Sequence, residues 1–223
     1  MTVVERRSGR AVGPGAWRRV VVVVAAGLMV GCSGELSGDR PGASSSPAPD
    51  PVRSAAPAGP PSVLIVTLDT TRADALGCYG STTGATPNLD RLAATSRLFE
   101  RCETAVPQTL PSHTTIFSGL EPFNHRVRKN AGVRVAPEVP LLAEELQGIG
   151  YATGAFVSAF VVDGRFGLDR GFEIYDAPQL NPRLGGGRER RADATIARAL
   201  EWIPAQAGPW FAWVHLFDPH VPY

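Results

Sequence analysis

Cysteine is scarce in this chain: three in 223 residues, at Cys32, Cys78 and Cys102. So few exclude a disulfide-stapled scaffold, and none stands among the partners of a structural zinc site. Cys78 and Cys102 read equally well as free thiols or as one disulfide. An excess of one charge is missing too, because 22 Lys and Arg against 21 Asp and Glu leave a formal net charge of +1. Without a basic surplus to follow a phosphate backbone, no nucleic-acid partner is expected. Long hydrophobic runs are absent as well. The stretch Val20 to Gly31 is too short to cross a bilayer as a helix. No internal repeat is present, which excludes a solenoid.

What is there begins with arginine. Arg6, Arg7, Arg10, Arg18 and Arg19 precede the short apolar run, the pattern of an export signal. The run ends Leu28, Met29, Val30, Gly31, Cys32, which resembles a bacterial lipobox with Cys32 as the lipidated first mature residue. Residues 1–31 are therefore expected to be a signal peptide, a plain secretory signal being the alternative. From Ser33 to Pro61 the chain is dominated by Ser, Gly, Ala and Pro. Such a segment buries too little to offset its ordering entropy, so residues 32–61 are expected to be a disordered tether. The expected location is the bacterial cell envelope, periplasm or outer surface, with attachment to the membrane through a lipid anchor.

Beyond the tether, strand-like and helix-like runs alternate, and residues 62–223 are expected to fold as one α/β domain, a mostly parallel sheet sandwiched by helices. Strands are expected near Val63 to Leu68, Leu98 to Cys102, Ala152 to Val157 and Trp210 to Leu216. Helices are expected near Pro87 to Ser96, Ser112 to Ser118, Leu141 to Ile149 and Arg188 to Ala205. Thr86 is a natural N-cap and Pro87 suits a first helical position. Pro178, Pro182 and Gly185 to Gly187 mark a loop before the last helix.

Two features carry chemistry. The first is Asp69, a carboxylate at the end of an unbroken apolar strand, placed to deliver a ligand at the sheet's carboxyl edge. The second lies forty residues further on, where Thr109, Leu110, Pro111, Ser112 and His113 open a helix that runs to Ser118 and Gly119. A hydroxyl at that position meets backbone N–H groups and the positive end of the helix dipole, which stabilise an alkoxide or oxyanion. Taken alone, Asp69 would also serve as a turn residue and Thr109 as a cap.

This frame resembles the signature of the sulfatase family within the alkaline-phosphatase superfamily. That signature is Cys or Ser, any residue, Pro, Ser, Arg, four residues, then Thr-Gly. The Thr86 to Leu92 segment, Gly150 to Gly154, Phe166 to Phe172 and the closing Phe217, Asp218, Pro219, His220 resemble further family segments, so the likeness spans Ser62 to Tyr223. It implies an alkaline-phosphatase-like fold and a divalent metal (Ca, Mg, Mn or Zn, not decided) held by Asp69 and Thr109. It also implies that Thr109 is the nucleophile, with Ser112 as its competitor. His220 becomes a proton donor to the leaving group, and His113 a substrate contact where the family has Arg. Asn130, 21 residues after Thr109, matches the interval at which a related phosphonate monoester hydrolase places an active-site Asn. His215, inside an apolar strand, is expected to be structural, and His125 a loop residue.

The departures refine the implication. Threonine cannot be matured to the family's formylglycine aldehyde, but its hydroxyl attacks phosphorus directly when a metal activates it. Val157, Ser158, Ala159 and Phe160 stand where sulfatases carry Gly-Lys-Trp-His, so both cationic sulfate contacts are missing. The family's later Asp-His and Lys segment is also missing, and the chain reads as an amino-terminal part that needs a carboxy-terminal segment to complete its site. The expected function is a metal-dependent hydrolase of sulfate or phosphate esters or diesters, with an anionic ester as substrate. The alternatives are a phosphoglycerol- or phosphoethanolamine-type transferase and a non-catalytic surface lipoprotein that binds a polyanionic glycan or a partner.

Overall fold

Ser62–Leu68 forms the strand expected from its apolar run, because β-branched residues on both faces suit a strand covered by helices on each side. The computed structural model describes residues 2–5, 20–26, 59–84, 86–130, 132–178 and 189–220. The strands are β1 (Thr2–Glu5), β2 (Val20–Ala26), β3 (Ser62–Leu68), β4 (Ala152–Val157), β5 (Ile174–Asp176) and β6 (Trp210–Leu216). They make one sheet in the order β1-β2-β3-β6-β4-β5. Every pairing is parallel except that of β1 with β2. Backbone of the apolar run Val20–Ala26 thus lies along β3, Val20 opposite Ser62 and Ala26 opposite Leu68. Cys32 and residues 33–58 of the expected tether lie outside the described residues, as does the 179–188 part of the expected loop.

Five helices complete the described architecture: α1 (Pro87–Ala94), α2 (Thr109–Ser118), α3 (Pro122–His125), α4 (Leu142–Gly148) and α5 (Ala192–Trp202). Alternation along the strands sorts the core into two layers. Val63, Ile65, Phe211 and Trp213 face the α2 side with Leu110, Phe117 and Ala143. Leu64, Val66, Trp210, Ala212 and Val214 face the α5 side with Ala199, Trp202 and Ile203. The α2 side is aromatic: Phe117 meets Trp213 edge-on at 4.7 Å between centroids, and Phe172 stacks on Phe211 at 5.4 Å. Such pairs contribute about 1 kcal/mol each beyond the area they bury.

Two expected boundaries move, and one expected strand is absent. Helix α2 starts at Thr109 rather than Ser112, because Pro111 fits within a first turn that needs no N–H from it. Helix α5 starts at Ala192, and its last turn tightens to a 3₁₀ turn at Ile203–Ala205. Residues 98–102 pair with no strand; the Phe99 carbonyl instead accepts a hydrogen bond from the Tyr79 hydroxyl at 3.0 Å. The short strand β5 was not expected, since three residues carry too little periodicity to stand out.

The segment Phe166 to Phe172 explains itself in packing. Arg170 donates to the carbonyls of Pro137 and Val139 at 2.7 and 2.6 Å and pairs with Glu144 at 3.2 Å. Gly171 has φ +80°, and a Cβ there would fall 2.1 Å from the Glu144 nitrogen at the start of α4. Gly171→Ala is therefore expected to cost about 3 kcal/mol or more, from backbone strain and a clash with main chain together. Chemical denaturation would check this, and a loss under 1 kcal/mol would contradict the packing described here.

Candidate active site

The carboxyl ends of β3, β4 and β6 converge, which is where open parallel sheets place ligands. Asp69 follows β3, and its N–H still bonds the Leu216 carbonyl of β6 at 2.9 Å. Thr109 opens α2 directly opposite. Its Oγ1 donates to Asp69 Oδ2 at 3.1 Å. The two residues, forty positions apart, are both buried, Asp69 at 8% and Thr109 at 9% exposure.

The start of α2 is held from outside. Gln108 precedes the helix with an extended backbone, and its side chain makes no cap bond. The Leu110 N–H instead donates to Asn130 Oδ1 at 2.9 Å, and the Asn130 N–H donates to Gln108 Oε1 at 3.1 Å. Asn130 therefore caps the helix that carries Thr109, and its oxygen being committed leaves the amide nitrogen as its free side-chain group. Ser112 Oγ bonds the Thr109 carbonyl at 3.0 Å, inside the first turn. Ser112 thus supports the turn, and Thr109 is the hydroxyl placed against Asp69.

His113 lies beneath this pair. Its Nδ1 is 2.7 Å from the Thr109 carbonyl, which makes Nδ1 the protonated nitrogen of the neutral ring. Its ring sits 5.4 Å from Trp213 and 5.0 Å from His215. His113 is buried like Asp69 and Thr109, and through Nδ1 it supports the first turn of α2 behind Thr109. His215 is the residue sequence reasoning undervalued. Its Nε2 lies 3.4 Å from Asp69 Oδ2, an ion-pair distance without a hydrogen bond of good geometry. The signal was its place: His215 pairs with Thr67 at the carboxyl end of β6, on the same face as Trp213.

These neighbours set the charges. Burial pushes the Asp69 carboxyl up, but the His215 contact, the nearby His113 ring and the Thr109 hydroxyl together outweigh it and hold the group below its usual value. Burial first, and then the His215 ring, push His113 down to about 4, against the opposing pull of the Thr109 carbonyl and Asp69. A histidine whose folded value lies below its unfolded 6.5 takes its proton only on unfolding. Its contribution to stability is complete above pH 6.5 and is lost as pH falls from 6.5 toward 4, by about 3 kcal/mol at most. Denaturation between pH 7 and pH 4 should show that slope, and His113→Gln should flatten it; an unchanged slope in the variant would contradict the assignment.

The third strand end supplies the loop after β6. His220 stacks on Phe217 with centroids 4.3 Å apart, and its N–H donates to the Phe217 carbonyl at 2.9 Å. Thr70 ties this loop to Asp69, since its Oγ1 donates to the Pro219 carbonyl at 3.0 Å. Thr70 has φ +52°, a left-handed conformation that a β-branched residue adopts only under constraint. At the end of β4, Ser158 Oγ meets Thr195 Oγ1 at 2.7 Å. A cation does come to this strand end, from Arg190. It pairs with Asp176 and donates to the Val157 carbonyl at 3.1 Å and Thr195 Oγ1 at 3.0 Å. Arg190 is thus neutralised where it stands and ties the chain before α5 to the sheet. His125 is the last residue of α3 and not a loop residue, and it is buried; its Nδ1 accepts from the Val127 N–H at 3.1 Å and its Nε2 meets Thr115 Oγ1 at 3.0 Å. Cys78 and Cys102 are half-buried free thiols.

A hard divalent cation suits the oxygen pair of Asp69 and Thr109, next to imidazole nitrogens of His113 and His215 that lack hydrogen-bond partners. Two oxygens fall short of the six or more ligands such ions take. Among the described residues, no group of three His, Cys, Asp or Glu side chains could hold a metal. The residues fit one side of a cation site and do not enclose it.

This arrangement agrees with what the chain resembles. The sulfatase family model matches residues 61–223, and the chain belongs to that family. It is 35% identical over 94 residues to an arylsulfatase of Clostridium perfringens, covering 42% of this chain and 19% of that protein. It is 35% identical over 104 residues to human arylsulfatase A, covering 44% and 20%. Among solved structures, the phosphonate monoester hydrolase of Agrobacterium radiobacter superposes with a TM-score of 0.61 at 23% identity, covering 72% of this chain and 41% of that one. A protein solved with its substrate D-glucosamine-2-N,6-O-disulfate superposes at 0.62 and 19% identity, covering 72% and 35%. These two likenesses establish the alkaline-phosphatase-like fold. The chain spans about a fifth of the length of these two curated relatives.

Proposed function

We propose that the protein is a hydrolase of sulfate or phosphate esters that uses Thr109 as its nucleophile. The observation that carries this reading is the buried contact of Thr109 Oγ1 with Asp69 Oδ2 at the start of a helix. In the reaction, the Thr109 oxygen bonds to sulfur or phosphorus as its proton passes to Asp69, and the bond to the ester oxygen breaks. His220, in the loop that Thr70 holds against Asp69, protonates the departing oxygen. Oxygen charge that develops on the transferred group meets the N–H groups at the start of α2 and the Asn130 amide. Water then cleaves the Thr109 ester and frees the transferred group as its anion, while the proton held on Asp69 returns to the Thr109 oxygen. Asp69 and Thr109 would hold a divalent ion, which would supply Lewis-acid polarisation of the transferred group and a lower hydroxyl pKa. The remaining ligands come from sequence outside these 223 residues, a reading supported by the share of its relatives that the chain spans.

Thr109, more than the family, bears on which group is transferred. A secondary alcohol leaves no aldehyde route for releasing sulfate, so phosphodiester or phosphonate substrates are favoured, as in the name of the Agrobacterium neighbour. Substrates named among the relatives, including a disulfated glucosamine, keep sulfate esters in the test set. Export and lipid attachment at Cys32 belong to the same proposal, supported by the basic and apolar leader. Assay of the protein on aryl sulfate, bis-aryl phosphate and aryl phosphonate, with and without chelator, tests the function. Chelator-sensitive turnover of at least one ester is expected. Turnover of none contradicts the reading and favours the glycan-binding alternative, whereas turnover indifferent to chelator contradicts the part assigned to the divalent ion.

A further inference from the structure

His215 is fully buried inside an apolar strand, yet neither of its ring nitrogens makes a hydrogen bond. A buried ring with both nitrogens orphaned costs folding free energy, and a leucine would suit the strand better. The single polar contact of the ring is with the active site: Nε2 lies 3.4 Å from Asp69 Oδ2. The ring is held in that orientation from several sides. The His215 backbone is paired with Thr67 of β3 and with Val157 of β4, and its carbonyl accepts from the Ser158 N–H at 3.0 Å. Trp213 stands edge-on to the ring at 6.0 Å between centroids, His113 edge-on at 5.0 Å, and Phe217 stacks at 6.5 Å. Trp213 is itself fixed, its Nε1 donating to Thr67 Oγ1 at 3.1 Å.

Asp69 is less constrained. It lies just past the end of β3, and both polar contacts of its carboxylate among the described residues meet at the same oxygen, Oδ2: Thr109 Oγ1 at 3.1 Å and His215 Nε2 at 3.4 Å. Rotation about χ2 of an aspartate is soft. The Thr109 hydroxyl cannot fix that rotation through the reaction, because it gives up the proton that makes the bond. The imidazole gives up nothing and stays where the sheet holds it.

We propose that His215 is a positioning residue: it holds Asp69 Oδ2 against Thr109, so that the oxygen that takes the Thr109 proton is in place before substrate arrives. This rests on the ester-hydrolase reading. His215 acts only through Asp69, and the buried ring is retained at a cost to stability because it preorganises the carboxylate.

A cycle of substitutions at His215 and Asp69, read by kinetics and by denaturation, tests this. His215→Leu keeps much of the volume and removes both nitrogens, whereas His215→Gln places an amide nitrogen at the reach of Nε2. His215→Leu should lower kcat about 10²-fold, the loss that a misplacement of about 1 Å produces, with KM nearly unchanged. His215→Gln should recover most of that loss. In the Asp69→Asn background, His215→Leu should lower kcat no further, because a residue that works through a carboxylate has nothing left to hold. Chemical denaturation of the same set should show His215→Leu to be less destabilising in Asp69→Asn than in the parent. If His215→Leu does not fold, His215→Asn, one methylene shorter than the glutamine, takes its place. Near-parental kcat in His215→Leu, equal losses in the two backgrounds, or no recovery in His215→Gln overturns the proposal. If the protein turns over no ester at all, the hydrolase reading fails and the denaturation cycle decides: coupling supports His215 as the support of Asp69, and additive losses overturn it.

Discussion

Thr109→Ala is expected to lower kcat by about three orders of magnitude or more, since removing a nucleophile leaves only the contribution of binding and oxyanion stabilisation. The loss should be catalytic rather than structural. The Thr109 side chain gives up one hydrogen bond, to Asp69, which contributes about 1 kcal/mol to stability. The helix start keeps its other ties, through Asn130 and through the 3.1 Å bond from the Ser112 N–H to the Gln108 carbonyl. Thr109→Ser restores the hydroxyl without the methyl and should recover activity to within about tenfold of the parent. Steady-state kinetics on whichever ester the protein turns over would check both variants, and Thr109→Ala with near-parental kcat would remove the nucleophile from the account.

Asp69→Asn carries the second large effect. The substitution keeps shape but replaces an ionised carboxylate, held in that state by His215, His113 and Thr109, with a neutral amide. Thr109 then loses its proton acceptor, any cation loses its carboxylate, and His215 loses its charge partner 3.4 Å away. A fall in kcat of about 10²- to 10³-fold is expected from the loss of acid–base assistance alone. Divalent ions that raise the melting temperature of the parent should no longer do so in the variant, because an ion that does not bind cannot stabilise. A variant that retains both activity and the ion-induced shift would place the carboxylate's role elsewhere.

The parts of this site that were legible in sequence share one property: their chemistry coincides with a strong local pattern. Asp69 ends an unbroken apolar strand, and Thr109 opens a segment whose Pro111 and Gly119 mark the start and end of a helix. Both are found where expected, and their contact follows from the parallel sheet. His215 shows the opposite case. Its strand was evident, but an apolar run with both faces covered gives no period from which to read which face a residue takes, and register with β3 is a tertiary property. Only the pairing of Thr67 with His215 puts the imidazole beside Asp69. Arg190 was hidden for a related reason: its partner Asp176 sits on a three-residue strand with little sequence signal. His113 fills the family's Arg position, but which way an imidazole turns there is set by its local hydrogen bond and not by the sequence frame. Its Nδ1 folds back onto the Thr109 carbonyl.

The central claim is that Thr109 carries the transferred group. Rapid quenching of the protein during turnover, followed by intact-mass analysis and peptide mapping, tests this most directly. The account predicts a single added phosphoryl, phosphonyl or sulfuryl mass on the peptide containing Thr109, absent from Thr109→Ala. An adduct on Ser112, or turnover with no adduct on a slow substrate whose intermediate should accumulate, would contradict it.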